Sequence, residues 1–334
     1  MFIPQSYALA VALCVITMLC WGSWANTQKL ASRKWPFQLF YWDYTIGITL
    51  LTLIVGFTLG SSGEEGRSFL ADLSQGSSKA YTSAFIGGII FNLANLLIVV
   101  AIDIAGMAVA FPIGIGIALV LGVVVNYTAT PVGDPVLLFV GVALVALAIV
   151  FDALAYRKLS AETNTTSTKG IIISIVGGVL MGFFFRFVAA SMSTDFIDPT
   201  PGLFTPYAAV FVFSLGIFAS NFLWNTYFMY RPMKGEVVAY KDYFRLGTPK
   251  LHLIGLLGGI IWCVGMSLSL IASEKAGFAI SYGLGQGATM VAAAWGVFIW
   301  KEFRAAPKGT NLLITLMFGS FIVGLTLIVA SRLV

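Results

Sequence analysis

Apolar residues gather in ten long runs along this chain, at about 5–26, 37–60, 80–101, 106–127, 135–155, 170–192, 204–229, 251–272, 277–300 and 310–331. Each run approaches or exceeds the roughly 20 apolar residues that a helix needs to cross a hydrocarbon core about 30 Å thick. They are too long for the strands of a membrane barrel, the other structure that can satisfy its own backbone in lipid. Most of the intervening segments carry helix breakers, such as Ser61-Ser62-Gly63, Pro131 with Gly133, Pro199 with Pro201, and Pro232 with Gly235. Two connections, around Asp103 and around Glu274, are so short that the flanking helices must be antiparallel neighbours. The pattern predicts an all-α membrane protein of ten transmembrane helices.

Composition agrees. Of 334 residues, 59% are hydrophobic and 10% charged, with a mean hydropathy of +0.94. A soluble domain presents about 25% charged residues to water, so here the lipid bilayer must serve as solvent. The net charge of +5 comes from Lys and Arg in short loops, which reads as membrane topology and not as nucleic-acid binding. With the N-terminus outward, fourteen basic residues fall in inward loops, among them Lys29, Arg33, Lys34, Arg157, Lys158, Arg231, Lys234, Lys241, Arg245 and Lys301. Only Arg67, Lys79, Lys275 and Arg332 fall outward. Both termini are therefore expected to be external, on a cell (inner or plasma) membrane, with acidic Glu64, Glu65, Asp195 and Asp198 on that side. Cys14, Cys20 and Cys263 lie inside apolar runs without metal-ligand spacing, so neither a disulfide nor a metal site is expected. Nothing calls for a cofactor. The first run has no basic leader and continues into Trp21-Gly22-Ser23-Trp24, which does not read as a cleaved signal peptide.

An internal repeat adds the most. Shifted by 171 residues, Gly87-Gly88-Ile89-Ile90 lies on Gly258-Gly259-Ile260-Ile261, Ala105-Gly106 on Ala276-Gly277, and Gly114-x-Gly116 on Gly285-x-Gly287. Eleven of thirty positions are identical across 87–116 and 258–287. The offset spans five helices, an odd number, so the two halves, 1–156 and 170–334, are expected to be inverted five-helix repeats, the plan of secondary transporters.

Several segments also resemble the ureide permeases: Trp21-Gly22-Ser23-Trp24, Tyr41-Trp42-Asp43-Tyr44, Gly87-Gly88 followed by Asn95, Asn126-Tyr127, and Tyr230-Arg231-Pro232-Met233. Ala276-Gly277-Phe278-Ala279, Gln286, Trp295-Gly296 and Glu302-Phe303-Arg304 extend the resemblance into the second half. That family belongs with the glucose/ribose porters in the drug/metabolite transporter superfamily, so the resemblance implies the drug/metabolite transporter fold of two inverted halves. It also implies proton-linked uptake of allantoin, uracil and related oxo nitrogen heterocycles. The plant members carry a long cytosolic insert between the fifth and sixth helices, where this chain has only Tyr156 to Lys169. The short form looks like bacterial relatives assigned to sugars.

Polar groups at membrane depth are costly unless paired or wetted, which makes each a candidate. Arg186, near the middle of the sixth run, could bind an oxo group of a solute, or snorkel. Asp43, about two turns into the second run, is the candidate proton-coupling carboxylate; its bland alternative is an ion pair with Lys29 or Lys34. Asn92 and Asn95 share a helix face and offer donor and acceptor together, for a solute or for a neighbouring helix. Gln286 lies between Gly285 and Gly287, which would let a ligand approach closely, and Tyr282 one turn away could stack on a planar ring. Trp24 and Asn26 end the first run, as binding groups or as an interfacial belt. Asp103 and Glu274 both read as caps in outward turns, and His252, the single histidine, is given no role.

A carrier of a small polar solute, coupled to protons or Na+, accounts for the repeat. Ureide or heterocycle uptake leads, with a sugar (glucose/ribose/rhamnose-type) porter or a metabolite or drug exporter as the alternatives. A membrane enzyme would need a catalytic cluster, for which one histidine and scattered acids give no basis.

Overall fold

A computed structural model describes residues 1–31, 35–159, 167–233 and 236–334. Arg33, Lys34 and Lys234 of the charge tally, and Gly235, lie outside them. The described residues form α1 (Tyr7–Ser23), α2 (Ala25–Ala31), α3 (Phe37–Phe57), α4 (Phe69–Gln75), α5 (Ser78–Ala105), α6 (Met107–Ala129) and α7 (Pro135–Leu159). There follow α8 (Thr168–Ala190), α9 (Pro206–Tyr230), α10 (Tyr240–Leu246), α11 (Pro249–Ala276), α12 (Phe278–Gly285), α13 (Ala288–Ala294) with a π-helical turn at Trp295–Ile299, and α14 (Thr310–Ala330).

Helix starts follow the local chemistry. The Ser6, Ser77, Ser167 and Thr248 hydroxyls accept hydrogen bonds from the backbone N–H three residues on, satisfying orphan donors of the first turn. Pro206 and Pro249 open α9 and α11, where a missing N–H costs nothing. Nine helices among the described residues are long and apolar enough to cross a membrane.

The apolar run at 277–300 does not continue as one helix. It breaks after Gly285, at Gln286 and Gly287, then resumes as α13 and widens into the π turn. Three glycines in five residues (Gly283, Gly285, Gly287) weaken helix propensity there, and the Thr289 hydroxyl donates back to the Gln286 carbonyl at 2.9 Å. The matching α6 stays continuous despite Pro112.

Contacts between loops define two ends of the bundle. At one end Lys29 pairs with Glu302, Tyr156 donates to Glu302, and Lys158 Nζ lies beside Gly309. At the other, the Met1 ammonium donates to the Glu65 carbonyl at 2.6 Å, Arg67 to Leu203 O, and Tyr7 to Val329 O. Both termini are at this second end, and the basic loops gather at the first. Asp103 and Glu274 are at opposite ends. Asp103 shares a cavity wall with Pro36 and Arg245 at the basic end, whereas Lys275, beside Glu274, accepts from Arg332 through its carbonyl at the other. The expectation that both sit in outward turns is therefore corrected, as five intervening helices reverse the direction of the chain.

Two crossings hold the centre. A side chain at Gly88 of α5 would collide with the Phe213 carbonyl of α9, and one at Gly216 with the Phe85 carbonyl. In the same way Gly259 of α11 abuts the Tyr44 carbonyl of α3, and Gly47 the Leu256 carbonyl. Small residues let membrane helices approach backbone to backbone. α5 and α11 are each 28 residues long and end on a glycine with positive φ, Gly106 at 79° and Gly277 at 82°.

Candidate functional site

Between these crossings lies a run of buried rings. Trp262 of α11 lies 4.4 Å (centroid to centroid) from Phe91 of α5 and 6.4 Å from Tyr44 of α3. Tyr44 has Trp24 at 4.9 Å and Tyr41 at 5.2 Å. On the far side of Phe91, Phe184 lies at 5.1 Å, followed by Tyr282 at 6.3 Å from Phe184. Polar atoms punctuate the rings. Asn95 Nδ2 donates to the Tyr41 hydroxyl at 3.1 Å. Asn92 Nδ2 donates to Ile217 O and to Ser220 Oγ, while Asn92 Oδ1 and the Tyr44 hydroxyl are buried and make no hydrogen bond. Unpaired buried polar atoms are uncommon, and the Tyr44 hydroxyl is one of them within the run of rings.

The structure thus brings Trp24, Asn92, Asn95 and Tyr282 to one aromatic core. The Tyr282 hydroxyl donates to the Ala118 and Met181 carbonyls, which fixes the ring to α6 and α8. Gln286 lies at the break between α12 and α13, half-buried, its side chain without a hydrogen bond. Its flanking glycines face α1: Gly285 lies under the Trp21 ring and Gly287 against Met18. Both glycines thus give close helix packing against α1. Trp21 in turn stacks on Trp262 at 6.0 Å, which links the break to the core. Asn26 is at the basic end, its Oδ1 accepting from Trp300 Nε1 at 2.7 Å. Arg186, half-buried and without an ion pair among the described residues, lies only about one turn from the end of α8 and not at mid-helix.

Asp43 is 2% exposed and is held by residues that the sequence left unassigned. Its carboxylate accepts from His252 Nδ1 of α11 at 2.9 and 3.1 Å and from the Tyr243 hydroxyl of α10. Gly255 faces the Asp43 side chain at a place where any Cβ would collide. Trp35 sets its ring edgewise to His252 at 5.1 Å. Lys29, the suggested partner of Asp43, is instead bound to Glu302 at 2.7 Å and covers the Trp300 ring. Nothing in the local pattern ties residue 43 to residue 252. The one usable signal was that Asp43 and the only histidine lie at similar depth from the same end.

A cavity of about 400 Å³ opens at the basic end between α3, α5, α9 and α10, lined by Phe37, Gln38, Val99, Asp103, Glu236 and Arg245 among others. Its Phe37 ring lies 5.2 Å from the Tyr41 ring, tilted against it, so the cavity wall is one ring away from the Tyr41–Asn95 pair. Among the described residues no group of three His, Cys, Asp or Glu side chains could hold a metal ion.

A sequence model of the ureide permeases matches residues 40–169 and 161–331. The chain belongs to the ureide permease family. It is a multi-pass membrane transporter, a permease and not an enzyme. Ureide permease 1 of Arabidopsis thaliana is 25% identical over 390 residues, covering 99% of this chain and 99% of that protein. Ureide permease 2 of the same plant is 24% identical, with the same coverage. Both alignments run longer than this chain, so these plant permeases hold residues with no counterpart here. A solved crystal structure of a protein superposes with a TM-score of 0.59 over 98% of this chain and 100% of the other, at 16% identity, a likeness of fold alone.

Proposed function

We propose that this permease is a secondary carrier for a small polar solute of the ureide or oxo-heterocycle class, such as allantoin or uracil, driven by protons. The observation that carries the carrier reading is the contact between Phe91 and Trp262 at 4.4 Å. The two are counterparts under the 171-residue shift, and residues near a two-fold axis meet their own equivalents. The paired crossings at Gly88 and Gly259 and the equal lengths of α5 and α11 support the same plan: two inverted five-helix halves, 1–156 and 170–334, with the interrupted stretch 278–299 as the tenth span. Such halves can pack in two related ways, each open to one face.

The solute reading is supported by the family and by the chemistry of the core. A ureide or a cyclic imide is flat, with amide donors and carbonyl acceptors. Aromatic faces at Trp24, Tyr44 and Trp262, the amides of Asn92 and Asn95, and the free Tyr44 hydroxyl complement such a molecule. In this reading Asn26 and Gln286 flank the route at the two broken helices, Tyr282 closes one wall, and Arg186 attracts carbonyl oxygen at the far end. Asp43 carries the coupling proton. The basic end faces the cytoplasm of a cell membrane, leaving both termini outside.

Counterflow in proteoliposomes tests this. Vesicles preloaded with unlabelled allantoin or uracil are expected to accumulate the labelled solute transiently, with loss of signal in Asn95→Leu. Absence of counterflow for every ureide and oxo-heterocycle offered would overturn the solute class.

A further inference from the structure

Asp43 is sealed at 2% exposure, yet its partner His252 is 27% exposed at the basic end. A proton arriving from water at that end therefore meets the imidazole first. The two carboxylate oxygens face His252 Nδ1 at 2.9 and 3.1 Å, and an ionised carboxylate only accepts, so Nδ1 carries hydrogen and Nε2 is the free position. Nε2 points at Gly247, where a side chain would run into it. Gly247 caps α10, whose last carbonyls lack helical partners and favour a cation. The groups around the imidazole are Asp43 on α3, Tyr243 on α10 and Lys250 two residues earlier on α11. Lys241, Asp242 and Arg245 share α10 with Tyr243, and Arg33 and Lys34, which precede Trp35 in the sequence, lie outside the described residues.

From this geometry we infer that His252 is the proton-receiving member of the coupling site, and that Tyr243 latches α10 to Asp43 according to the charge of the pair. The inference rests on the proton-driven carrier reading and deepens it. With neutral imidazole and ionised carboxylate the pair carries one negative charge. One proton passed from hydronium to Nε2 forms an N–H bond, breaks one O–H bond to leave water, and makes the pair net neutral. The carboxylate stays ionised, but the imidazolium beside it now competes with the Tyr243 hydroxyl for the same oxygen charge, as a cationic donor bonds a carboxylate more strongly than a neutral one does. This loosens the Tyr243 latch and frees α10, which borders the cavity at this end. Releasing the proton restores the latch.

Two measurements test it on the full chain, carrying an affinity tag free of histidine. Because His252 is the single histidine, ¹⁵N-histidine labelling gives one imidazole to follow by NMR. Its ring-nitrogen resonances are expected to place the hydrogen on Nδ1 in alkaline buffer in the wild type, and to lose that preference in Asp43→Leu, which removes the acceptor. In proteoliposomes, His252→Asn is expected to retain exchange of labelled allantoin at equal pH and to lose accumulation driven by a pH gradient, and Tyr243→Phe to alter the pH profile of exchange. An imidazole that carries its hydrogen on Nε2 in alkaline buffer, or a His252→Asn protein with wild-type gradient-driven accumulation, overturns the inference. A wild type that exchanges no solute overturns the solute reading instead and leaves the NMR result standing. A wild type that exchanges but does not respond to a pH gradient overturns proton coupling and His252 with it.

Discussion

Single positions set how closely the helices approach. Gly259 abuts the Tyr44 carbonyl, while nothing comes within 4 Å of a Cβ placed at Gly116. Gly259→Ala is therefore expected to cost about 1–3 kcal/mol, the usual penalty for overpacking, and Gly116→Ala to be neutral or slightly stabilising. Thermal unfolding of the detergent-solubilised protein checks both, and equal midpoints for the two variants would disprove the tight crossing. Sequence alone shows both as helix glycines under a repeat; only the packing separates them. The same holds at Asp43. Its cost in lipid was legible, but its partner lies 209 positions away, and periodicity does not say which helices meet.

At the scale of elements, the apolar runs gave helices nearly where expected, because length and hydropathy are local properties. The break at Gln286 was not legible. Gly285 and Gly287 match Gly114 and Gly116 of α6, which stays continuous, so the same glycine spacing permits either outcome. The segment after the break is tethered at the basic end through Glu302, which accepts from Lys29 and Tyr156 at 2.7 Å each. Partial burial raises the Glu302 pKa, but the bonds from Lys29 and Tyr156 and the lysine charge outweigh it and leave the carboxyl below its ordinary value. A depressed acid stabilises the folded state above its unfolded pKa and loses that contribution as pH falls through the folded one. Glu302→Gln should accordingly lower stability by about 0.2–1 kcal/mol at pH 7, as for a partly exposed pair. The gap to wild type should shrink as the pH falls below about 4. Unfolding midpoints at the two pH values give the comparison, and a gap that widens in acid would refute the tether.

At the scale of the whole molecule, charge and connectivity were readable together. The described loops rich in Lys and Arg do converge on one end, and the chain termini on the other. Exposure of a C-terminal tag to protease is expected from outside intact cells only; cleavage from the cytoplasmic side alone would reverse the orientation. Which rings and amides meet at the centre could not be read in advance, since it depends on how the helices interlock.

The unequal pair of α6 and its interrupted counterpart has an energetic consequence. Under the proposed plan, two identical inverted halves would make the outward- and inward-open packings equivalent by a two-fold rotation and equal in free energy. One continuous helix set against one that bends at Gln286 removes that degeneracy, and each 1.4 kcal/mol of difference is a tenfold bias in population. In the proposed carrier the empty protein therefore has a preferred resting face, chosen by the half that flexes.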